Sequence, residues 1–181
     1  MTPPNLNPSY TLFCEQSKQR SLLLEQVQEA RQRQSLDRLH KDQIAQLEPL
    51  WVLSDYLHHQ FIRFPHWLDD ALVLDSLPER PSKEALMSGE AFFSHESAAC
   101  QHIPQEHMDE VSFVKRLRLY RQWWMVRLIA LDIQQRLSLT ELTHRLSGLA
   151  DACVNASLGW SEQQYLSLYG QALDCNGLPQ S

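Results

Sequence analysis

The 181-residue sequence predicts an all-α protein, an antiparallel helical bundle around one long central helix. Three observations carry that expectation. Only five glycines are present, too few for a turn-rich β fold. Val111–Arg136 contains neither proline nor glycine, so nothing in it breaks a helix. Ser138-Leu139-Thr140-Glu141 then forms a capping-box sequence, and Leu142, Leu146, Leu149, Cys153 and Ala156 follow at helical spacing. The central helix is expected over about 108–136 and its antiparallel neighbour over about 139–169, because Leu137–Ser138 is a short connection.

The central stretch changes character along its length. From Trp123 to Leu131 every residue except Arg127 is apolar, which is the pattern of a helix buried on most sides. Earlier, Val114, Leu117, Tyr120 and Trp124 are expected to share one face, with Lys115, Arg116 and Arg118 pointing elsewhere. Arg127 lies inside the apolar run and Arg121 close to the stripe. A guanidinium stays charged, so each must meet a carboxylate, a carbonyl or an aromatic face, or reach water. Arg118, Arg121, Arg127 and Asp132 are therefore candidates for structural ion pairs or for partner contacts.

Residues 1–17 are rich in proline and polar residues and read as a flexible arm. Residues 18–170 are expected to form the helical domain, irregular over 75–105, and 171–181 a polar tail. Lys18 to about Leu47 is dense in helix formers, with Leu22, Leu23, Val27 and Ala30 as its apolar stripe and Pro49 as its interruption. Leu50–Phe64 reads as a helix or helix pair, with Ser54 or Asp55 available as a cap. Pro65 cannot continue that helix but suits the start of the next. Trp51, Tyr56, Phe61, Phe64 and Trp67 are expected to pack together. Gly159 marks either a close contact or a weak point in the last helix, and Gly170 a helix stop.

Charge and cysteine content restrict the function. The formal net charge is −6, yet Val111–Arg136 carries six Lys and Arg against one Asp. Acidic groups elsewhere can pair with this helix, so a nucleic-acid footprint is not expected. The four cysteines, Cys14, Cys100, Cys153 and Cys175, form no C-x-x-C pair and suit free thiols in a reducing cytoplasm. The amino-terminal segment lacks the basic start and apolar core of a signal peptide, and no stretch is long enough to span a bilayer.

Catalytic signatures are missing. The sequence has no glycine-rich phosphate loop, no G-x-S-x-G and no H-E-x-x-H. Asp69-Asp70 and Asp109-Glu110 are the adjacent acidic pairs, and both sit at helix starts, where capping and the helix dipole explain them. His58 and His59 face different ways on a helix and make a poor metal pair. His95, Cys100, His102 and His107 are metal-compatible, but their spacing matches no familiar zinc pattern. No catalytic, cofactor-binding or metal-binding residue is assigned.

Three segments nevertheless resemble a known family. Leu117-Arg118-x-Tyr120-Arg121-x-x-x-Met125-x-Arg127, followed by Ile129-Ala130 and Asp132, is similar to a segment of the bacterial bifunctional glutamine synthetase adenylyltransferase/adenylyl-removing enzymes. So is Leu146-x-x-Leu149-Ala150-Asp151-Ala152 with Trp160 and Tyr165 after it. Ser54-Asp55-Tyr56 with Phe64-Pro65-x-Trp67-Leu68 resembles a third segment, and the three fall in family order over about Leu50–Tyr169. Two departures stand out: Gln122, Trp123 and Trp124 replace a denser arginine run, and Glu84–Gln105 has no counterpart.

The resemblance implies two nucleotidyltransferase-fold heads that attach AMP to, and remove it from, a tyrosine of glutamine synthetase. It implies ATP and magnesium for the full-length enzyme, and glutamine synthetase and the nitrogen signal protein PII as partners. The paired-aspartate metal motif of the first head falls beyond Ser181, so no catalytic residue carries over. The expected role is a helical, non-catalytic amino-terminal part that scaffolds the adenylyl-removing head. The alternative is a free-standing adaptor or nucleic-acid-binding protein using Lys115, Arg116 and Arg118.

Overall fold

Residues 8–72, 80–88 and 108–171 are described by a computed structural model. Among them every regular element is an α-helix, so the all-α expectation holds. The helices are α1 (Pro8–Arg33), α2 (Lys41–Leu53), α3 (Asp55–Arg63), α4 (Trp67–Leu72), α5 (Lys83–Ser88), α6 (Glu110–Ile133) and α7 (Leu139–Tyr169). His95, Cys100, His102, His107 and the tail beyond residue 171 lie outside the described residues, as do residues 1–7 of the expected arm. From Pro8 onward that stretch is helical.

The chain divides into two compact units. The first comprises residues 1–77 and 125–138, the second residues 78–124 and 139–181, and α6 contributes to both.

In the first unit α1, α2 and α3 pack on one another. Val27, Leu47, Leu50, Trp51, Leu57, Phe61 and Leu68 are fully buried there, joined by Val126, Leu128 and Ala130 from α6. Phe64 stacks on Trp67 with ring centroids 4.1 Å apart. Tyr56, expected in the same aromatic cluster, is exposed on α3. Ser54 caps α3 as expected, its hydroxyl accepting the Leu57 N–H at 3.3 Å.

The break between α1 and α2 falls at residues 34–40, not at Pro49. Pro49 lies inside α2. The bond it cannot make would end on the carbonyl of Ala45, an exposed residue, while buried Leu47, Leu50 and Trp51 hold the helix in place. Helix α1 stops because Ser35 takes a left-handed φ of 58°. The Leu36 N–H then reaches the Arg31 carbonyl and the Ser35 N–H the Gln32 carbonyl, both at 3.0 Å, the Schellman pattern.

Helix α6 ends the same way. Gln135 has φ 55°, its N–H bonds the Asp132 carbonyl at 2.8 Å, and the Arg136 N–H bonds the Leu131 carbonyl at 2.9 Å. A side chain at this backbone angle costs about 1–2 kcal/mol, which glycine escapes at some cost in unfolded-state entropy. Gln135→Gly is therefore expected to stabilise the fold by up to about 1 kcal/mol, read as a higher urea midpoint at unchanged slope.

In the second unit the core comprises Leu86, Met87, Phe113, Leu119, Tyr120, Trp123 and Trp124 with Leu149, Ala152 and Ala156 of α7. Phe113 stacks flat on Trp160, centroids 4.8 Å apart, and the Trp160 indole N–H donates to the Met108 carbonyl at 3.4 Å. Helix α7 begins directly after Ser138 and ends at Gly170, whose φ of 74° and bond to the Leu166 carbonyl make the expected stop. Gly159 is indeed a close contact: a Cβ there would lie 2.7 Å from Lys83 Nζ.

Candidate functional site

The inward face of α6 is turned relative to the expected stripe. Phe113, Arg116, Tyr120, Trp123 and Trp124 are buried, whereas Val114 is 40% exposed and Leu117 half-buried. Arg116 belongs to that buried face. Its position reads as solvent-facing because of its charge, yet its guanidinium is buried and donates to the carbonyl of Met87 at the end of α5. The basic face of Lys115, Arg116 and Arg118 therefore loses its middle member.

The four residues singled out from the sequence are not gathered into one site. Arg118, Arg121 and Asp132 are exposed at separate positions along α6, and Arg127 is half-buried in the apolar second half.

Among the described residues the buried arginines are instead Arg31 and Arg116. Arg31 sits one residue past Ala30 on the buried face of α1. Its Nε donates to the Asp37 carbonyl at 2.7 Å and its Nη1 to the Pro65 carbonyl at 3.1 Å. Its Nη2 pairs with Asp69 Oδ1 at 3.0 Å. One planar group thus fastens the end of α1 to the α1–α2 loop, the turn before α4, and α4 itself. Asp69, read from the sequence as a solvated helix-start acid, is an ion-pair partner. Gln28 completes the stitching, its side-chain amide donating to the Leu39 carbonyl at 3.4 Å and accepting the Leu39 N–H at 3.2 Å. Asp109, in contrast, is the cap it was expected to be: bonds from the Ser112 hydroxyl and N–H hold its carboxyl below the usual range.

Tyr120 plays the anchoring part in the second unit. Its hydroxyl accepts the Ser82 N–H at 2.9 Å and donates to the Ser82 carbonyl at 3.1 Å. Burial pushes the phenol up, and the bond to Ser82 partly offsets that. Burial likewise raises the Cys153 thiol, against a smaller opposing pull from Arg121, so Cys153 stays a thiol at neutral pH.

His58 is buried on α3. Burial, then its neighbour His59, push the imidazole below its ordinary 6.5, while Asp55 and a bond to the Leu23 backbone pull the other way. Its Nε2 is buried with no hydrogen-bond partner among the described residues. The neutral ring tolerates that; a second N–H there would be stranded. Because the unfolded chain binds the proton more tightly, this contribution to stability is complete above about pH 6.5 and is lost as pH falls toward the lowered folded value. The urea midpoint is expected to drop on acidification from about pH 7.5 to 5.5, and His58→Gln to flatten part of that slope.

The second unit has a cleft of about 510 Å³ lined by Pro81–Glu84 and by Gly148, Asp151, Asn155, Gly159 and Glu162 of α7. Lys83 is its one cation among three carboxylates, Glu84, Asp151 and Glu162. Among the described residues no group of three or more His, Cys, Asp or Glu side chains is placed to hold a metal ion. No helix among them is long and apolar enough to cross a membrane.

Fold and side chains together define a helical module fastened by buried arginines and a tyrosine. Residues 44–180 match the family described as glutamate-ammonia ligase adenylyltransferase, and the chain belongs to that family. Its relatives include the bifunctional glutamine synthetase adenylyltransferase/adenylyl-removing enzyme of Idiomarina loihiensis, 30% identical over 130 residues, which is 72% of this chain and 13% of that protein. The enzyme of the same description from Thioalkalivibrio sulfidiphilus is 29% identical over 131 residues, covering 72% of this chain and 12% of the relative. That from Nitrosococcus oceani is 29% identical over 167 residues, covering 87% and 16%. The chain thus spans a small fraction of the length of the curated relatives it matches. No solved structure matches it.

Proposed function

We propose that this chain is a helical, non-catalytic part of an enzyme that adenylylates and deadenylylates glutamine synthetase, and that it scaffolds the adenylyl-removing head. The observation that carries the reading is the family match over residues 44–180. The relatives' printed activities, AMP transfer to glutamine synthetase and its removal, supply the substrate. The anchors fit a scaffold: Arg31 and Tyr120 spend their polar groups inside the protein, on backbone carbonyls and one carboxylate.

Magnesium and ATP belong to the longer enzyme in this reading. No step of the transfer is assigned to this chain. Arg118, Arg121, Arg127 and Asp132 remain candidates for contacts with glutamine synthetase or PII, the first two and Asp132 being accessible. The cytoplasm, where glutamine synthetase acts, is the compartment this reading implies.

The test is to incubate the purified chain with glutamine synthetase, ATP and magnesium and weigh the synthetase by mass spectrometry. Unchanged mass is expected. Addition or removal of AMP by the chain alone would refute the non-catalytic role.

A further inference from the structure

Helix α7 has two faces. Leu149, Ala152 and Ala156 are buried. Opposite them, Val154, Leu158, Ser161, Tyr165 and Leu168 follow one another at steps of four, three, four and three residues. That is the spacing of a coiled-coil seam, which takes one partner helix along its length. The seam is open: Val154 and Leu158 are each 65% exposed, Tyr165 60% and Leu168 74%. An apolar strip of this kind on one helix marks an interaction surface.

Charge restricts what fits. Beyond Arg145, α7 carries no Lys or Arg, and the seam is flanked by exposed Asp151 and Glu162, which with Glu84 outnumber the one cation beside them, Lys83 of α5. A second copy laid on the same seam would set acid against acid, which disfavours pairing. A helix with an apolar stripe bordered by Lys or Arg would be complementary. The matched relatives supply ample further polypeptide, since the chain spans 13% of the Idiomarina loihiensis enzyme.

We propose that the α7 seam docks one basic-flanked amphipathic helix from the remainder of the longer family enzyme. The proposal rests on the chain's place in such an enzyme, not on that enzyme's activity toward glutamine synthetase.

Ser161→Cys, at the middle of the seam, provides the probe. Maleimide labelling at this position is followed by mass spectrometry in the 181-residue chain and in the Idiomarina loihiensis enzyme carrying this chain in place of its matching segment. Labelling is expected to be at least about ten-fold slower in the longer protein, because the site must open before it reacts. Leu158→Glu, a change at an exposed position, should restore fast labelling there. Equal rates in the two proteins would overturn the proposal. So would protection that appears in the isolated chain as its concentration rises, which would give the seam to a second copy. A check free of the hybrid is co-sedimentation of the chain with the relative's remaining polypeptide: binding lost with Leu158→Glu is expected, and no binding counts against the proposal. A hybrid protected at position 161 yet inactive toward glutamine synthetase keeps the docking and removes the proposed function instead.

Discussion

Arg31→Met is expected to destabilise the protein by about 3 kcal/mol, a fall of roughly 6–12 °C in Tm for a chain of this size. Methionine fills much of the arginine's volume, so the loss is polar. The Asp37 and Pro65 carbonyls lose their donors at 2.7 and 3.1 Å. An orphaned buried carbonyl costs about 1–3 kcal/mol, less where water reaches it. Asp69 loses its counter-ion, but its side chain is 46% exposed, so it rehydrates and the penalty stays below that of a stranded buried charge. Arg31→Lys keeps the charge without the planar fork and should recover only part of the loss. Arg118→Ala, at an exposed position on α6, serves as the control and should change stability by no more than about 0.5 kcal/mol. Thermal and urea unfolding of the four proteins decide the matter; a wild-type midpoint for Arg31→Met would remove Arg31 as an anchor.

Tyr120→Ala should cost about 4 kcal/mol, and Tyr120→Phe about 2 kcal/mol of that. The two substitutions separate packing from hydrogen bonding. Tyr120 is 1% exposed and meets the Trp124 ring edge to face at a centroid distance of 6.4 Å. Alanine opens a cavity beside that ring. Phenylalanine leaves the ring and removes only the hydroxyl, which leaves both the Ser82 N–H and the Ser82 carbonyl without their partner. Because Ser82 also caps α5, its hydroxyl accepting the Ala85 N–H at 3.1 Å, the start of that helix should become easier to open. Hydrogen exchange of α5 amides in Tyr120→Phe tests this. Faster exchange confined to α5 is expected, and exchange as in the wild type would show that the phenol bond does not hold the segment.

The helices were legible where local chemistry decides them. Ser54 before α3, Ser138 before α7 and Gly170 after it lie at the ends their side chains or backbone freedom favour. Local reading failed where packing decides. Pro49 sits inside a helix because its neighbours Leu50 and Trp51 are buried, while Ala45, whose carbonyl goes without that donor, is an exposed residue. The turn at residues 34–40 is held by Gln28 and Arg31, contacts eleven and six residues apart that no helical period encodes.

The candidate site shows the same division. Charge set in and beside an apolar run drew attention to Arg118, Arg121, Arg127 and Asp132 on one helix. The arginines actually sunk in the core, Arg31 and Arg116, are held mainly by backbone carbonyls of Asp37, Pro65 and Met87, acceptors that every sequence position carries. The one legible clue was an arginine directly following Val27 and Ala30 on an apolar stripe. Family membership was legible because it rests on residues in order: Ser54-Asp55-Tyr56, the Leu117–Asp132 segment and Leu146–Ala152 all fall within the matched residues 44–180.

The most direct test of the central claim uses the Idiomarina loihiensis enzyme with its matching segment replaced by this chain. AMP on the tyrosine of glutamine synthetase is measured by mass spectrometry for this hybrid and for the 181-residue chain alone. Adenylylation and its reversal are expected of the hybrid, and neither of the chain alone. A correctly folded hybrid that leaves glutamine synthetase untouched, or an isolated chain that modifies it, would contradict the account.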